Sequence, residues 1–262
     1  MIFQGIKIIF VDLDWTILNH GIHDWDHKSI EGLKEAQKKG VLVYLCTARP
    51  YDSVVHTGLF SLFTPDGVIC TNGGVVFVGE ELLYANVIPP DVVRQIEKVS
   101  NRHHFVLEIG TDKERYFTGK PNSLVKKFFS SYSDTIPDIR HYQNENVTSI
   151  LLFTVPKHDE KMKKEYPAEI RYVRFDEYGV DLCYHKNNKG IAVKKVLEHL
   201  GISKSHSMSF GDDNVDIPMF ENTGISIALA NGKPDAIKAA TDTTCHIDDH
   251  GIFEALKKYK VI

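Results

Sequence analysis

The stretch KIIFVDLDWT, residues 7–16, sets the fold that this sequence predicts. Its first five residues form a short apolar run rich in β-branched side chains, which is typical of a strand covered on both faces. Asp12 and Asp14 follow that strand directly. Because ligands bind beyond the carboxyl ends of the strands in open parallel sheets, both carboxylates are expected at a binding edge.

The same order, a strand and then a helix, recurs at both ends of the chain. The predicted strands lie at residues 7–11, 41–46, 67–70 and 207–210, and a hairpin follows the third of them. The predicted helices between them cover residues 26–40, 51–63 and 188–200. This alternation favours an α/β fold, with a Rossmann-like, doubly wound parallel sheet core built from both ends of the sequence.

The middle of the chain has a less regular order of elements. Helices are predicted near residues 92–99 and 123–131, among strands at 105–108, 115–117, 149–155, 170–175 and 180–184. Strand pairs beside helices are typical of an α+β domain. We therefore predict a first core segment at 1–85, an inserted α+β cap domain at 86–185, and a second core segment at 186–262.

Composition and charge exclude several classes of partner. The 262 residues carry a formal net charge of −4, which gives no electrostatic reason to expect a nucleic acid or an anionic membrane surface. No apolar run approaches the roughly 18 residues that would span a bilayer. The four cysteines contain no C-x-x-C pair and no signal-peptide core precedes them, so we expect reduced thiols and a cytoplasmic location. The oligomeric state stays open.

Polar residues also follow the other predicted core strands. They are Thr47 and Arg49 after the second strand, Asn72 after the third, Asp212 and Asp216 after the fourth, and Asn231 after a later one; Lys189 begins the helix that re-enters the core. A cluster of carboxylates cannot all ionise at close range without a cation, and Mg2+ prefers hard oxygen ligands. The pattern therefore predicts a magnesium and phosphate site in which the side chains of Asp12 and Asp212 are metal ligands.

Each residue type at this edge suits one step of phosphate-ester hydrolysis. Asp12 is the expected nucleophile toward phosphorus, and Asp14 the group that protonates the leaving oxygen and later activates water. Thr47 would hold phosphoryl oxygens while Lys189 offsets their charge. Contacts of Arg49, Asn72 and Asn231 with the substrate are possible, and structural roles for them stay open.

These segments resemble the four signature motifs of the haloacid dehalogenase-like hydrolases. The motif residues are Asp12-x-Asp14-x-Thr16, Thr47, Lys189 and Gly211-Asp212-x-x-x-Asp216, and the stretches Thr71-Asn72-Gly73-Gly74 and Asp216-Ile217-Pro218-Met219 are similar to the Cof-type phosphatase branch. The resemblance implies a Rossmann-like core with a large α+β cap and a nucleophilic Asp12. It also implies that Mg2+ is held by Asp12, the Asp14 carbonyl and Asp212, with Asp216 in or near its shell.

Two positions depart from the family pattern. The family usually has Gly where this chain has Trp15, and commonly Asn where it has Val215. These departures keep open a catalytically impaired sensor or phosphometabolite-binding protein of the same fold. A phosphomutase fits less well, because the mutases in question carry a helical cap between the first two motifs and only about thirty residues separate Thr16 from Thr47 here. A dehalogenase would not be expected to keep Asp14, and a cation-pumping ATPase needs membrane helices.

The sequence thus predicts a magnesium-dependent phosphatase that acts on small phosphomonoesters, such as sugar phosphates or phosphorylated cofactors, through an aspartyl-phosphate intermediate. A large insert suits a small soluble substrate, since a cap can close over it and exclude bulk water. No residue pattern in the insert identifies the substrate.

Overall fold

The computed structural model describes residues 5–132 and 135–262. Residues 1–4 of the predicted first core segment and residues 133–134 of the predicted cap lie outside the described residues. The chain divides into two compact units. The first contains residues up to Ala48, Leu59–Leu83 and Asn188–Ile262, and the second contains Arg49–Gly58 and Tyr84–Asn187.

Both units are built from strands and helices that are short, the longest helix having 13 residues. The strands, numbered in chain order, are β1 (Ile8–Val11), β2 (Leu18–Asn19), β3 (Asp24–Trp25), β4 (Leu42–Cys46), β5 (Gly67–Cys70), β6 (Val75–Val78), β7 (Glu81–Ala85), β8 (Val106–Gly110), β9 (Arg115–Phe117), β10 (Ser149–Phe153), β11 (Ile170–Arg174), β12 (Gly179–Tyr184), β13 (Ser207–Gly211), β14 (Ile225–Ala228) and β15 (Asp242–Thr243). The helices are α1 (His27–Lys38), α2 (Tyr51–His56), α3 (Leu59–Leu62), α4 (Pro90–Arg102), α5 (Ser123–Ser131), α6 (Asp159–Glu165), α7 (Lys189–Leu200), α8 (Ile217–Glu221), α9 (Pro234–Ala239) and α10 (Gly251–Lys258).

The first unit is built on an eight-stranded sheet with the order β15-β14-β13-β1-β4-β5-β6-β7. Neighbouring strands from β15 to β5 run parallel, and β6 pairs with β5 antiparallel. All four residues of β1 are buried, between β13 on one side and β4 on the other. The predicted parallel core from both ends of the chain is confirmed, and its register brings the carboxyl ends of β1, β4, β5 and β13 to one edge.

Local chemistry explains where several core helices begin and end. The Asp26 carboxylate caps α1 by accepting from the Ser29 N–H, and Gly40 takes a left-handed φ of 85° just beyond the helix end. The helix predicted over 51–63 is interrupted, because Gly58 has a φ of 78° between α2 and α3. Such a backbone angle cannot continue a right-handed helix.

Two features were not predicted from the sequence. Residues 18–25 form a small flap in which β2 and β3 pair antiparallel. Each of these strands has only two residues, which is too short for an alternating pattern to appear. Helix α6 was also missed, because Met162 is its only buried residue and no apolar stripe marks it.

The second unit contains a five-stranded sheet with the order β11-β12-β10-β8-β9, in which every pair is antiparallel. Side chains alternate across the strands, so that Leu107 and Ile109 belong to a largely aliphatic cluster with α4, while Val106 joins an aromatic cluster with Phe128 and Phe129 of α5. The α+β arrangement predicted for the middle of the chain is therefore confirmed. In the part of the chain that the structure describes, no helix is long and apolar enough to cross a membrane.

We predict that Gly67→Ala strongly destabilises the first unit. Gly67 lies opposite Tyr44 in the β4–β5 register, and a Cβ atom there would lie 2.1 Å from the Tyr44 ring and 2.7 Å from the Phe77 carbonyl oxygen. The Tyr44 ring is buried, and the Phe77 oxygen is a backbone atom of strand β6, so neither neighbour can move aside easily. The loss in unfolding free energy, measured by chemical denaturation, should be about 3 kcal/mol.

The matched control is Gly119→Ala, because a Cβ at Gly119 would meet nothing within 4 Å. That variant should unfold within about 0.5 kcal/mol of the wild type. Equal stabilities for the two variants would contradict the close packing of Tyr44 on β5.

Candidate active site

The carboxyl end of β1 places Asp12 beside a buried lysine. The Lys189 ammonium donates to Asp12 Oδ1 and to Asp216 Oδ1, each at 2.6 Å. Lys189 is the first residue of α7, whose N-cap Asn188 accepts from the Ile191 N–H at 3.1 Å. The Asn188 N-cap therefore fixes where α7 begins. Because Lys189 is the first residue of α7, its ammonium lies at the carboxyl end of β1.

The turn after β13 supplies the other two carboxylates. Asp216 Oδ2 accepts from the backbone N–H groups of Asp212 and Asp213, both at 3.0 Å. Gly211 makes this possible, since a Cβ there would lie 2.5 Å from the same Asp216 oxygen. The spacing Gly211-Asp212-x-x-x-Asp216 is thus the length of a turn that folds its last carboxylate back onto its own backbone.

Asp12, Asp212 and Asp216 form one cluster in which their ligand oxygens lie within 4.8 Å of one another. Three carboxylates face one ammonium, so full ionisation would leave two uncompensated negative charges in a buried place. Burial and the charges of Asp216 and Asp212 accordingly raise the pKa of Asp12 well above its usual range, despite Lys189. Hard oxygen ligands with a deficit of positive charge fit a divalent cation.

The same cluster shifts the pKa of its other members. Burial, together with the charge of Asp216, raises the pKa of Asp212 to about 8. Burial alone would lower the pKa of Lys189, but the carboxylates of Asp12 and Asp216 raise it well above its usual range. The lysine therefore remains a cation over the whole physiological pH range.

Two threonines of the predicted motifs lie at this edge of the sheet. Thr16 is fully buried, and its hydroxyl donates to Asp212 Oδ1 at 2.8 Å. Thr47 follows β4, where its N–H donates to the Ile69 carbonyl and its own carbonyl accepts from the Asn72 N–H. Thr16 thus joins the first motif to the last, a link between residues 196 apart in the chain.

Asp14 lies on the flap side of the site, where its side chain is 25% exposed. Its Oδ1 is hydrogen-bonded to Nε2 of His20 at 2.6 Å. The indole ring of Trp15 lies against the His20 imidazole, with 5.5 Å between ring centroids. His20 was missed by the sequence analysis, because the flap that carries it has no periodic signal.

The predicted substrate-binding residues fall in different places. Arg49 belongs to the second unit, where its guanidinium donates to the Ser53 hydroxyl. Asn72 is buried in the turn after β5, with a left-handed φ of 54°. Asn231 donates to the Trp15 carbonyl and accepts from the Ile247 N–H, so its amide joins two loops of the first unit. Contact of these residues with a substrate stays a prediction.

Thr71 is a strained residue beside this site. It has a φ of 50°, which a β-branched side chain rarely adopts, and it is buried at the carboxyl end of β5. Its hydroxyl makes no hydrogen bond to any part of the chain that the structure describes. Local strain with a buried unpaired hydroxyl is a cost that functional sites often carry.

A family model described as haloacid dehalogenase-like hydrolase matches residues 9–256 of the chain. The chain belongs to the haloacid dehalogenase-like hydrolases. The match spans both core segments and the insert, so family membership covers nearly the whole sequence. The recognition made from the motifs, including the Cof-type phosphatase branch, is confirmed, and the protein is a phosphoric monoester hydrolase.

Individual relatives of this hydrolase are similar along almost their full length. The 5-amino-6-(5-phospho-D-ribitylamino)uracil phosphatase YitU of Bacillus subtilis is 25% identical, with 96% of this chain and 97% of the relative covered. Phosphoglycolate phosphatase 1 of Saccharolobus solfataricus is 25% identical, with 97% and 95% covered. Among solved structures, the subclass IIB sugar phosphatase BT4131 of the same superfamily superposes with a TM-score of 0.85 at 26% identity, covering 98% of this chain and all of the other.

We predict that Asp212→Asn stabilises the metal-free hydrolase at alkaline pH. The raised pKa of Asp212 means that the folded state holds a proton that the unfolded chain releases near pH 4, so this group lowers stability as pH rises from about 4 to about 8. Asparagine keeps an acceptor for Thr16 and removes the charge. In the presence of a chelator at pH 8, its unfolding free energy should exceed that of the wild type by about 1 kcal/mol or more.

Asp213→Asn serves as the control, since that carboxylate lies outside the cluster and pairs with Lys233 at 2.6 Å. Its gain at pH 8 should be smaller than that of Asp212→Asn, because the Asp213 charge is only a lesser cause of the raised pKa of Asp212 and its own ion pair is lost. If Asp212→Asn lost stability between pH 4 and 8 as steeply as the wild type, the charge deficit would be refuted.

We also predict that Thr71→Gly stabilises the protein. Glycine adopts a positive φ without strain and removes the buried hydroxyl, so unfolding free energy should rise by about 1 kcal/mol in spite of the added chain entropy. Thr148→Gly is the control, because the Thr148 hydroxyl is buried and donates to the Gly110 carbonyl. That control should lose stability, and a loss in both variants would show that Thr71 is not strained.

Proposed function

We propose that this hydrolase is a magnesium-dependent phosphatase of small phosphomonoesters that works through an aspartyl-phosphate on Asp12. The observation that carries the proposal is the bridge from Lys189 to Asp12 and Asp216, next to the Asp212 carboxylate. A fixed cation beside a buried carboxylate suits attack on a phosphoryl group, because the charge is already in place when the phosphoryl oxygens arrive.

In the first half-reaction, a carboxylate oxygen of Asp12 attacks phosphorus. Lys189 holds Oδ1 of Asp12 and so limits the rotation of this carboxylate. As the bond from oxygen to phosphorus forms, the ester bond from phosphorus to the leaving oxygen breaks, and Asp14 gives that oxygen its proton. Lys189 and Thr47 would bind the phosphoryl oxygens during transfer.

In the second half-reaction, the acyl phosphate on Asp12 is hydrolysed. Asp14, now a carboxylate, takes a proton from water as the water oxygen attacks phosphorus, and the bond between phosphorus and Asp12 breaks. Inorganic phosphate leaves, and both aspartates return to their starting protonation states. One side chain thus acts as acid and then as base.

The residues that would hold Mg2+ are Asp12, Asp212 and the backbone carbonyl of Asp14, with Asp216 in or near the shell. When bound, the ion would supply the positive charge that the cluster lacks and would neutralise charge on the phosphoryl group. Lys189 alone cannot do both, since it already faces two carboxylates.

We propose residues 86–185, which make up most of the second unit, as the cap that selects the leaving group, inserted between core segments at 1–85 and 186–262. The names of two relatives, a phosphoglycolate phosphatase and a phosphoribitylamino-uracil phosphatase, support a small phosphomonoester as substrate. Free thiols at Cys46, Cys70, Cys183 and Cys245 agree with a reducing, cytoplasmic setting.

A sensor of phosphorylated metabolites is the second candidate, and Trp15 is the observation that favours it. Trp15 has a φ of 60° directly beside Asp14, in a region that glycine enters far more easily. A large ring at this position could slow turnover while leaving the phosphate site intact. Binding of phosphomonoesters without release of phosphate would identify a sensor.

The test is hydrolysis of nitrophenyl phosphate and of a panel of small phosphomonoesters, with and without Mg2+. Asp12→Asn should lower kcat at least about a thousand-fold, because the nucleophile is lost. Acid quenching during turnover should trap a phosphoenzyme in the wild type and none in the variant. The control Asp235→Asn, an exposed residue of α9, should stay within about three-fold of the wild type.

Turnover that is insensitive to a chelator would overturn the metal requirement. A fully active Asp12→Asn protein would overturn the intermediate. Silence of the wild type on the whole panel, together with tight binding of phosphomonoesters, would favour the sensor.

A further inference from the structure

The flap carries a histidine that contacts the catalytic edge. His20 follows β2, and its Nε2 lies 2.6 Å from Asp14 Oδ1. Its side chain is only 8% exposed. A hydrogen bond of this length to an imidazole with so little exposed surface holds the two side chains in a defined relative position.

Trp15 covers the other side of this contact. Its indole lies against the imidazole, with the two planes inclined by 57°. The ring also approaches the turn at Gly21, where a Cβ would lie 3.8 Å from the indole Cζ3. Trp15 therefore packs on the imidazole that is hydrogen-bonded to Asp14.

The chain just before His20 is anchored to other loops of the first unit. Asn19 donates to the Asp248 carboxylate and accepts from the Gly21 N–H. Asn231 donates to the Trp15 carbonyl at 2.8 Å. These bonds hold the backbone that leads into His20 and the turn that follows it, which limits the positions that the imidazole can take relative to Asp14.

We propose that His20 is a positioning residue for Asp14. The imidazole holds Oδ1 of Asp14, and this contact directs Oδ2 of Asp14 toward the leaving oxygen. Trp15 packs on the imidazole and keeps it in contact with Asp14. The inference rests on the proposed function, in which Asp14 delivers the proton to the leaving oxygen as the ester bond breaks. His20 does not itself exchange a proton with the substrate.

The leaving group provides the readout. A dinitrophenolate leaves without help from an acid, whereas a phenolate or an alkoxide needs the proton of Asp14. The quantity to compare is kcat/KM, because it reports the steps up to departure of the leaving group and not hydrolysis of the acyl phosphate. A residue that only supports the fold would lower kcat/KM for all leaving groups alike.

His20→Leu should lower kcat/KM about ten-fold or more for phenyl and alkyl phosphates, and about two-fold or less for dinitrophenyl phosphate. His20→Gln, which keeps a polar nitrogen and oxygen at similar reach, should recover most of the loss. His27→Leu and His27→Gln are the matched controls: His27 is 58% exposed and pairs with Asp24 on the same flap. Both should match the wild type with every leaving group.

A second measurement does not depend on activity. Melting temperatures of the wild type, His20→Leu, Asp14→Ala and the double variant make up a double-mutant cycle. The decrease in melting temperature caused by His20→Leu should be less than half as large in the Asp14→Ala background as in the wild type. Additive losses would overturn the proposal, whether or not the protein turns over any phosphate ester.

A loss with His20→Leu that is uniform across leaving groups would also overturn it, as would failure of His20→Gln to recover activity while its melting temperature is normal. The proposed function fails separately, through a wild type that releases no phosphate or an active Asp12→Asn. The experiments therefore distinguish a failure of the His20 positioning role from a failure of the proposed phosphatase function.

Discussion

One buried cation organises this active site. The Lys189 ammonium lies between Asp12, on the first strand of the core, and Asp216, on the turn after β13. Either carboxylate buried without a partner would be costly, so the lysine is held as firmly by them as they are by it. The start of α7, the end of β1 and the turn after β13 are consequently fixed relative to one another by charge as well as by packing.

The same bridge leaves the site short of positive charge. Three clustered carboxylates face one ammonium. Burial and the neighbouring carboxylates therefore raise the pKa of Asp12 and of Asp212. A group that is costly to ionise when the site is bare becomes a good ligand when a cation is present. The same deficit of positive charge that makes the metal-free cluster costly to ionise would therefore favour a bound cation.

Much of the core fold and of the carboxylate cluster could be predicted from the sequence, because buried strands show as apolar runs and the polar residues that follow them mark the strand ends. The position of Lys189 at a helix start and the aspartates after β1 and β13 followed from the order of elements. His20 could not be predicted, since its importance comes from a flap of two-residue strands and from a tertiary contact with Trp15. The strain at Thr71 was equally hidden, because a backbone angle leaves no mark on hydropathy. Trp15 was noticed as a departure from the family, but its packing on His20 required coordinates.

The sheet order has a consequence for how the enzyme is made. Central strand β1 pairs with β13, and Asp12 is bonded to a lysine that lies 177 residues further along the chain. During synthesis, Asp12 emerges long before Lys189 and Asp216, the two residues that complete its charge network. The nascent chain can form the second unit from local antiparallel pairs well before the catalytic edge exists. A chain that has not yet been synthesised beyond the turn after β13 thus lacks Asp216 and cannot complete the carboxylate cluster around Lys189.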